Sequence, residues 1–289
     1  MLRRIGKKRP RQPHPHPYSA RCAVFGEWLL FRNAERPESY LPVNPLVPGG
    51  GATIELPPMA LRKLVVCPGG EVAAAIVFAD NGSCGVAFCR RPGSGSSEWS
   101  WSAVRDPPPG AGELLDIALH GGDNNKLYAL YGNKTLYAYD LDDDDDGEPE
   151  CVIADPRPPT VPEVWYMLVV YDTRHYLVPG NDGKKLLLVR SEYGRSFAVF
   201  EAVDGRWSEV ARLDDDEVLF VSANCSRALP VYGGPGNCVF FVGEPTRGLR
   251  FGNFGVYDMA TKTIRGAISP LKFQGCHSTG SWLFPSLLP

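Results

Sequence analysis

Short apolar runs separated by turn residues dominate the chain, and they are clearest between Lys184 and Val242. Five of these runs are rich in Val, Leu, Phe or Trp: Lys185–Arg190, Ser196–Glu201, Trp207–Ala211, Glu217–Val221 and Asn237–Val242. Every gap between them holds Gly, Asp, Asn or Pro, and none is long enough for an ordinary helix. Runs bounded in this way are typical of β-strands. The pattern therefore predicts a series of consecutive strands.

The same kind of run occurs along the rest of the chain. These further predicted strands are Glu27–Phe31, Ser39–Val43, Thr53–Leu56, Leu61–Cys67, Glu71–Phe78, Gly85–Cys89, Trp99–Val104, Leu114–Leu119, Lys126–Tyr131, Thr135–Asp140 and Glu150–Ala154. An aromatic residue followed by an acid recurs at Tyr139-Asp140, Phe200-Glu201 and Tyr257-Asp258, with 61 and then 57 residues between the acids. We expect these pairs to occupy the third strand of a repeated unit.

Four antiparallel strands per unit, repeated without helices, indicate an all-β fold of the β-propeller class. The length accommodates about five four-stranded blades. A closed ring requires a terminal strand that completes the first or last blade, and the apolar segment Trp282-Leu283-Phe284 is the expected closing strand. A β-sandwich is the alternative, because short strands with frequent turns serve both architectures.

Composition and charge divide the chain into a tail, residues 1–21, and a propeller domain, residues 22–289. The tail is rich in proline and carries seven basic residues and no acid, so we expect it to be disordered. Because the whole chain has a formal charge of −3, the domain carries −10. An acidic body argues against nucleic acid as a partner, since a phosphate backbone requires a positive surface.

The sequence also favours the cytoplasm or the nucleus. It has no apolar run long enough for a membrane span and no apolar core that would make its first residues a secretory signal. A short basic cluster in the tail is a candidate nuclear-import signal, formed by Lys7, Lys8, Arg9 and Arg11.

Motifs for catalysis or metal binding are weak. No G-x-S-x-G elbow, H-E-x-x-H pair or Walker loop occurs, and the eight cysteines form no C-x-x-C pair, so we expect no cofactor and no enzyme activity. The acid run Asp142–Asp146 resembles the start of a calcium loop, but Ile153 stands where the bidentate Glu is needed. We interpret this run and Asp214–Glu217 as solvated turns.

Trp99 and Trp101 are the candidate binding residues of the domain. Side chains two apart on a strand project to the same face, so these two rings lie together. They form either an exposed aromatic anchor for a partner protein or part of the packed core between blades.

Several segments together resemble a known plant family. They are Asn44-Pro45, Leu56-Pro57-Pro58, Val65–Gly70, Lys126–Leu130, Lys184–Val189, Leu219–Ser226, Pro235–Phe241, Gly255–Asp258 and Trp282–Pro285. In this order they are similar to the F-box-associated, kelch-like β-propeller domains long catalogued as a domain of unknown function. The resemblance covers residues 22 to 285.

The resemblance implies a non-enzymatic protein-interaction module, similar to the substrate-recognition propeller of F-box ubiquitin-ligase subunits. About twenty basic and proline-rich residues precede the first predicted strand, where family members carry an F-box, and no F-box is recognisable there. Docking to the ligase adaptor is therefore not expected, and the expected partner is an unidentified protein. The alternative is a propeller enzyme or a small-ligand binder that uses the central channel.

Overall fold

The computed structural model describes most of the predicted domain. The described residues are 18–25, 28–33, 40–44, 56–57, 59, 61–67, 72–78, 83–90, 99–120, 126–141, 148–154, 173–181, 183–192, 194–242, 254–268, 281–282 and 284. In these ranges the chain forms twenty strands and no helix. The all-β prediction is therefore confirmed.

The strands form five sheets that follow one another along the chain. The first sheet contains β1 (Tyr18–Phe25), β2 (Trp28–Asn33) and β3 (Tyr40–Val43). The second contains β4 (Leu61–Val66), β5 (Val72–Phe78), β6 (Cys84–Arg90) and β7 (Ser100–Trp101). The third contains β8 (Leu114–His120), β9 (Lys126–Tyr131), β10 (Leu136–Asp140) and β11 (Glu150–Ile153).

The last two sheets follow in the same way. The fourth contains β12 (Thr173–Pro179), β13 (Leu186–Glu192), β14 (Ser196–Val203) and β15 (Arg206–Val210). The fifth contains β16 (Glu217–Val221), β17 (Arg227–Pro230), β18 (Cys238–Val242), β19 (Phe254–Asp258) and β20 (Thr263–Ile268). Strands β1, β4, β8, β12 and β17 each lie at one edge of their sheet, and along the chain β1 contacts β4, β4 contacts β8, β8 contacts β12 and β12 contacts β17. We call these five the inner strands.

Local turn chemistry explains why the fourth sheet is an antiparallel meander. Asp204 and Gly205 both have positive φ, 50° and 72°, between the paired residues Val203 and Arg206. Two residues with positive φ form the type I′ turn, whose twist matches that of a two-residue hairpin. An Asp-Gly dipeptide between apolar strands therefore fixes the register of β14 and β15.

Four apolar clusters lie between successive sheets. They are centred on Leu64 and Ala87 between the first two sheets, on Ile117 and Tyr139 between the second and third, on Leu130 and Phe200 between the third and fourth, and on Val189 and Phe241 between the fourth and fifth. Sheets packed face to face in sequence order, with their inner strands in contact, form the arrangement of a β-propeller.

The aromatic–acid repeat occupies equivalent places, as predicted. Its three pairs lie on β10, β14 and β19, each of which is the last strand but one of its sheet. The aromatic rings of Tyr139, Phe200 and Tyr257 are all buried in the clusters between sheets.

The first and fifth sheets depart from four antiparallel strands. In the first sheet, the predicted strand Thr53–Leu56 is represented by Leu56, which forms an isolated bridge to Tyr40, and residues 53–55 lie outside the described residues. In the fifth sheet, β16 pairs in parallel with β18, and β17 folds back on the inner edge of β16. This extra hairpin makes a five-stranded sheet that the repeat did not predict.

Both ends of the domain contact neighbouring strands. Strand β1 begins at Tyr18, before the predicted tail boundary at residue 21, because it pairs with β2 from Tyr18 to Phe25. At the other end, the Trp282 indole N–H donates to the Val221 carbonyl at 3.0 Å, and the rings of Trp282 and Phe284 pack edge-on against Phe220 of β16. These contacts are made by side chains, so the pairing of this segment as a closing strand stays a prediction.

Candidate functional site

A buried carboxylate ties three inner strands together. Asp116 on β8 accepts a hydrogen bond from the Lys63 ammonium of β4 at 2.5 Å and from the Leu177 amide of β12 at 2.8 Å. It also accepts from the amide of Ile117 at 2.9 Å. Both Asp116 and Lys63 are buried, so this ion pair is shielded from water. Its hydrogen bonds give Asp116 a structural role between the second, third and fourth sheets.

Basic side chains gather where the third and fourth sheets meet. His175 on β12 and Arg190 on β13 are direct cross-strand partners, which places their side chains next to each other on the face that carries Leu177 and Leu188 toward the third sheet. Lys134 comes from the third sheet, in the turn between β9 and β10, and its charge acts on His175. We call Lys134, His175 and Arg190 the basic cluster.

The backbone holds Lys134 in an unusual conformation. Its φ is +73°, and its amide donates to the Tyr131 carbonyl at 2.8 Å, so it stands just after a tight turn in a place where glycine is usual. Its carbonyl accepts the indole N–H of Trp207 at 2.9 Å, and its ammonium donates to the carbonyl of Gly132. The turn of the third sheet is thereby fixed to the fourth.

Burial and mutual repulsion lower the proton affinity of the basic cluster. Burial, with Arg190 as the second cause, lowers the pKa of Lys134 to about 8. Burial lowers the pKa of His175 to about 2, with smaller contributions from Lys134 and Arg190. Both side chains are half-buried, which disfavours their charged forms. His175 is therefore neutral at neutral pH.

The Arg190 side chain is held by two neighbouring residues, which leave one of its N–H donors without a hydrogen bond among the described residues. Its guanidinium lies over the ring of Phe200, 5.5 Å from the ring centre, and its Nε is 3.4 Å from a Glu192 carboxylate oxygen. That distance makes an ion pair, yet the buried Nε has no hydrogen-bond partner among the described residues. The side chain keeps 19% of its surface exposed, so a solute can reach it.

A groove of about 300 Å³ lies on the other side of the fourth sheet, facing the fifth. Its lining is apolar at Phe197, Val199 and Tyr257 and charged at Arg190, Glu192, Glu209 and Lys262, so Arg190 borders both this groove and the basic cluster. A partner could use this concave surface.

Among the described residues, Tyr232 is the most exposed of the large aromatic side chains. Tyr232, in the loop between β17 and β18, is 93% exposed. The loop that carries it is fixed at both ends, because the Val231 amide donates to the Asp216 carbonyl and the Asn237 amide donates to the Glu217 carbonyl. At Gly236 the chain passes so close to the Asp215 carbonyl that a Cβ would lie 1.9 Å from its oxygen.

The predicted tryptophan pair lies against the core. Trp99 and Trp101 are both half-buried and pack on the cluster between the first two sheets. The Trp101 indole N–H also donates to the Pro57 carbonyl at 3.1 Å. These contacts match the packing alternative, and partner binding by the two rings stays a prediction.

Other predicted sites are only partly described. Lys7, Lys8, Arg9 and Arg11, and the acid run Asp142–Asp146, lie outside the described residues. Asp214 of the second acid run pairs with Lys185 at the surface. Across the described ranges, no three His, Cys, Asp or Glu side chains are grouped so that they could hold a metal ion. Likewise, none of the described residues form a helix long and apolar enough to cross a membrane.

Sequence reasoning did not find the main polar features. The Lys63–Asp116 pair and the basic cluster join residues on different sheets, and the sequence carries no spacing that relates them. Lys134 had one local signal, a lysine after Gly132-Asn133 in a hairpin, in the position that normally takes glycine.

Comparison with known proteins places the fold. The sequence profile of the KIB1-4 beta-propeller family matches residues 4–258. The chain belongs to the KIB1-4 β-propeller family. This membership confirms the β-propeller prediction, and the fold is in general one of protein-interaction scaffolds. No curated protein matches the chain.

Solved structures similar to this member of the KIB1-4 family are distant. They include AofleA from Arthrobotrys oligospora (14% identity, 80% of this chain and 61% of that chain covered, TM-score 0.38). A putative 6-phosphogluconolactonase from Bacteroides fragilis follows (16%, 79% and 62%, 0.38), and so does the WD40 domain of SCAP from fission yeast (8%, 89% and 56%, 0.37). The chain thus covers about six tenths of the length of these structures.

Proposed function

We propose that this protein is a non-enzymatic interaction module that binds another protein through the loop carrying Tyr232. The exposed tyrosine carries the proposal. A large ring left 93% exposed on a loop with fixed ends is already ordered for contact, so binding a partner costs it little conformational entropy. Tyrosine is also among the residues that dominate binding energy at protein interfaces.

The surroundings of two buried groups, Asp116 and Cys89, favour this proposal over an enzyme that uses a central channel. A catalytic carboxylate must reach a reacting group, whereas Asp116 is buried and accepts three hydrogen bonds from the protein itself. Burial raises the pKa of Cys89 to about 12, so its thiol is a poor nucleophile. Asp116 links inner strands of neighbouring sheets, and Cys89 packs between the first two sheets.

We further propose that the five sheets are five blades of one ring, closed by the segment that contains Trp282 and Phe284. Phe220 and Phe240 lie on the face of the fifth sheet that points away from the fourth, and the rings of Trp282 and Phe284 both pack on Phe220. That is the face a closed ring presents to its first blade. The double variant Trp282→Ala, Phe284→Ala should therefore lower the melting temperature, and an unchanged melting temperature would argue against closure.

The test of function is affinity capture from plant extract with the purified full chain, read by quantitative mass spectrometry. The resemblance to F-box-associated propellers makes the ubiquitin-ligase adaptor one of the proteins to be sought. Wild-type protein and the control Val203→Ser, at an exposed apolar side chain on another sheet, should capture the same protein. Tyr232→Ala should lose it. Equal capture by Tyr232→Ala would reject the proposed surface, and no reproducible partner would reject the interaction module.

A further inference from the structure

Lys134 is placed where a lysine destabilises the fold in three ways. A side chain with φ near +70° is strained, because its Cβ approaches the backbone. The side chain is partly removed from water, and its ammonium lies in the field of a second cation, Arg190. Glycine or asparagine would avoid all three costs, since both adopt this backbone conformation readily and carry no charge.

The contacts of Lys134 do not explain why the residue is lysine. Its two fixing contacts, to Tyr131 and from Trp207, use the backbone amide and carbonyl, which every residue other than proline provides. Within the part of the chain that the structure describes, the ammonium makes one hydrogen bond, to the neighbouring Gly132 carbonyl. An ammonium has three donors, so donors remain for a ligand. Residues that lower stability without a structural return are typical of functional sites.

Arg190 offers donors toward the same place. Its position is set by Phe200 beneath it. Among the described residues its acid partner is Glu192, which lies at ion-pair distance and leaves Nε without a hydrogen bond. His175, its cross-strand neighbour, adds a neutral ring that can donate one hydrogen bond. Two cations and one neutral donor thus interact with one another, and the carboxylate of Glu192 is paired with Arg190 among them.

We propose that Lys134, His175 and Arg190 form a binding site for a phosphate group. A phosphate carries between one and two negative charges at neutral pH and offers three oxygen acceptors, which matches two cations with several free N–H donors. A guanidinium held flat by an aromatic ring presents its donors in a fixed fork suited to such an oxyanion. The phosphate is either free or borne by a phosphorylated side chain of the partner in the proposed function.

The direct test is calorimetric titration of the full chain with inorganic phosphate, with chloride used to keep the ionic strength constant. Lys134→Asn removes the charge but keeps a residue that tolerates the backbone conformation, and Arg190→Gln removes the fork. Each should weaken phosphate binding at least tenfold, because each removes charge-assisted hydrogen bonds. Thermal melting without phosphate, recorded for each variant, shows whether it is folded.

Two controls match these variants. Lys184→Asn changes an exposed lysine just before β13, outside the groove that Arg190 and Lys262 line, and Arg195→Gln changes an exposed arginine on the β13–β14 turn. Both should bind phosphate as the wild type does. If the controls weaken binding as much as Lys134→Asn and Arg190→Gln do, the effect is general surface charge and the site is rejected. Absence of phosphate binding by the folded wild type rejects it as well.

The source of the phosphate is settled by a second titration, with a phosphoserine peptide and its unphosphorylated form. Tighter binding of the phosphopeptide than of inorganic phosphate, lost in Lys134→Asn, would show that the site reads a modified partner. Equal binding of both phosphate forms would show a site for free phosphate. Because inorganic phosphate needs no partner, the site can fail while partner capture through Tyr232 succeeds, and the reverse.

Discussion

Removing the charge of Asp116 should unlock the inner strands of three sheets. In Asp116→Asn, the ammonium of Lys63 remains buried without its counter-ion, and the new amide NH₂ faces donors where the carboxylate faced them as an acceptor. Removing one partner of a buried ion pair costs about 3–5 kcal/mol, since an uncompensated charge stays behind. That is a large part of a total stability of about 5–15 kcal/mol.

The loss can be followed as a shift in thermal melting. For a chain of this size, about 2 °C per kcal/mol applies, so Asp116→Asn should melt roughly 6–10 °C below the wild type. The matched control is Glu150→Gln, which breaks the surface pair between Lys126 and Glu150, and such a pair contributes at most about 1 kcal/mol. Its melting temperature should fall by no more than about 2 °C.

A double variant separates the charge from the loss of packing. Adding Lys63→Met to Asp116→Asn removes the buried cation while the amide oxygen still accepts one backbone hydrogen bond, so the double variant should be more stable than Asp116→Asn alone. If the two substitutions instead add, or if Asp116→Asn melts like Glu150→Gln, the ion pair does not hold the three sheets together and the reasoning is refuted.

Three further predictions concern protonation and a close backbone contact. The pKa of Lys134 is lowered to about 8 in the fold against an ordinary 10.5, so the unfolded chain holds that proton more tightly. The free energy of unfolding should therefore rise between pH 8 and 10.5. Chemical denaturation should show this rise in the wild type and not in Lys134→Asn. The pKa of His175 is lowered to about 2 in the fold against an ordinary 6.5, so the free energy of unfolding should decrease as the pH falls below 6.5. The decrease is at most about 1.4 kcal/mol per pH unit, and it is smaller here because the ring is half-exposed. An equally steep decrease in His175→Gln would contradict this origin. Gly236→Ala should destabilise the fold by about 2 kcal/mol or more, since its Cβ would overlap the Asp215 carbonyl, whereas Gly234→Ala meets only the end of the Val231 side chain and should be mild.

Features set by neighbouring residues could be predicted from the sequence. Apolar runs between turn residues located β9 and β16 at the residues where they occur, Lys126–Tyr131 and Glu217–Val221. The aromatic–acid pairs marked equivalent strands, because a ring buried between sheets must recur at the same place in each unit. The predicted strand Trp99–Val104 is shorter in the structure, Ser100–Trp101, since Arg105 then pairs with Val86 as a separate bridge.

Features set by packing could not be predicted in this way. Strand β17 is only four residues long and follows a turn of ordinary composition. Its position at the inner edge of the fifth sheet therefore depends on contact with β12. The basic cluster depends on the register that pairs His175 with Arg190 and on the approach of the third sheet to the fourth. Neither relation has a period or a spacing along the chain.

The central claim is that the loop carrying Tyr232 binds another protein, and the affinity of the purified partner for wild-type and Tyr232→Ala protein tests it most directly. Isothermal titration should show binding at least about 30-fold weaker for Tyr232→Ala, as expected for an interface hot spot of about 2 kcal/mol, with the melting temperature unchanged. Equal affinity for the two proteins would contradict the claim.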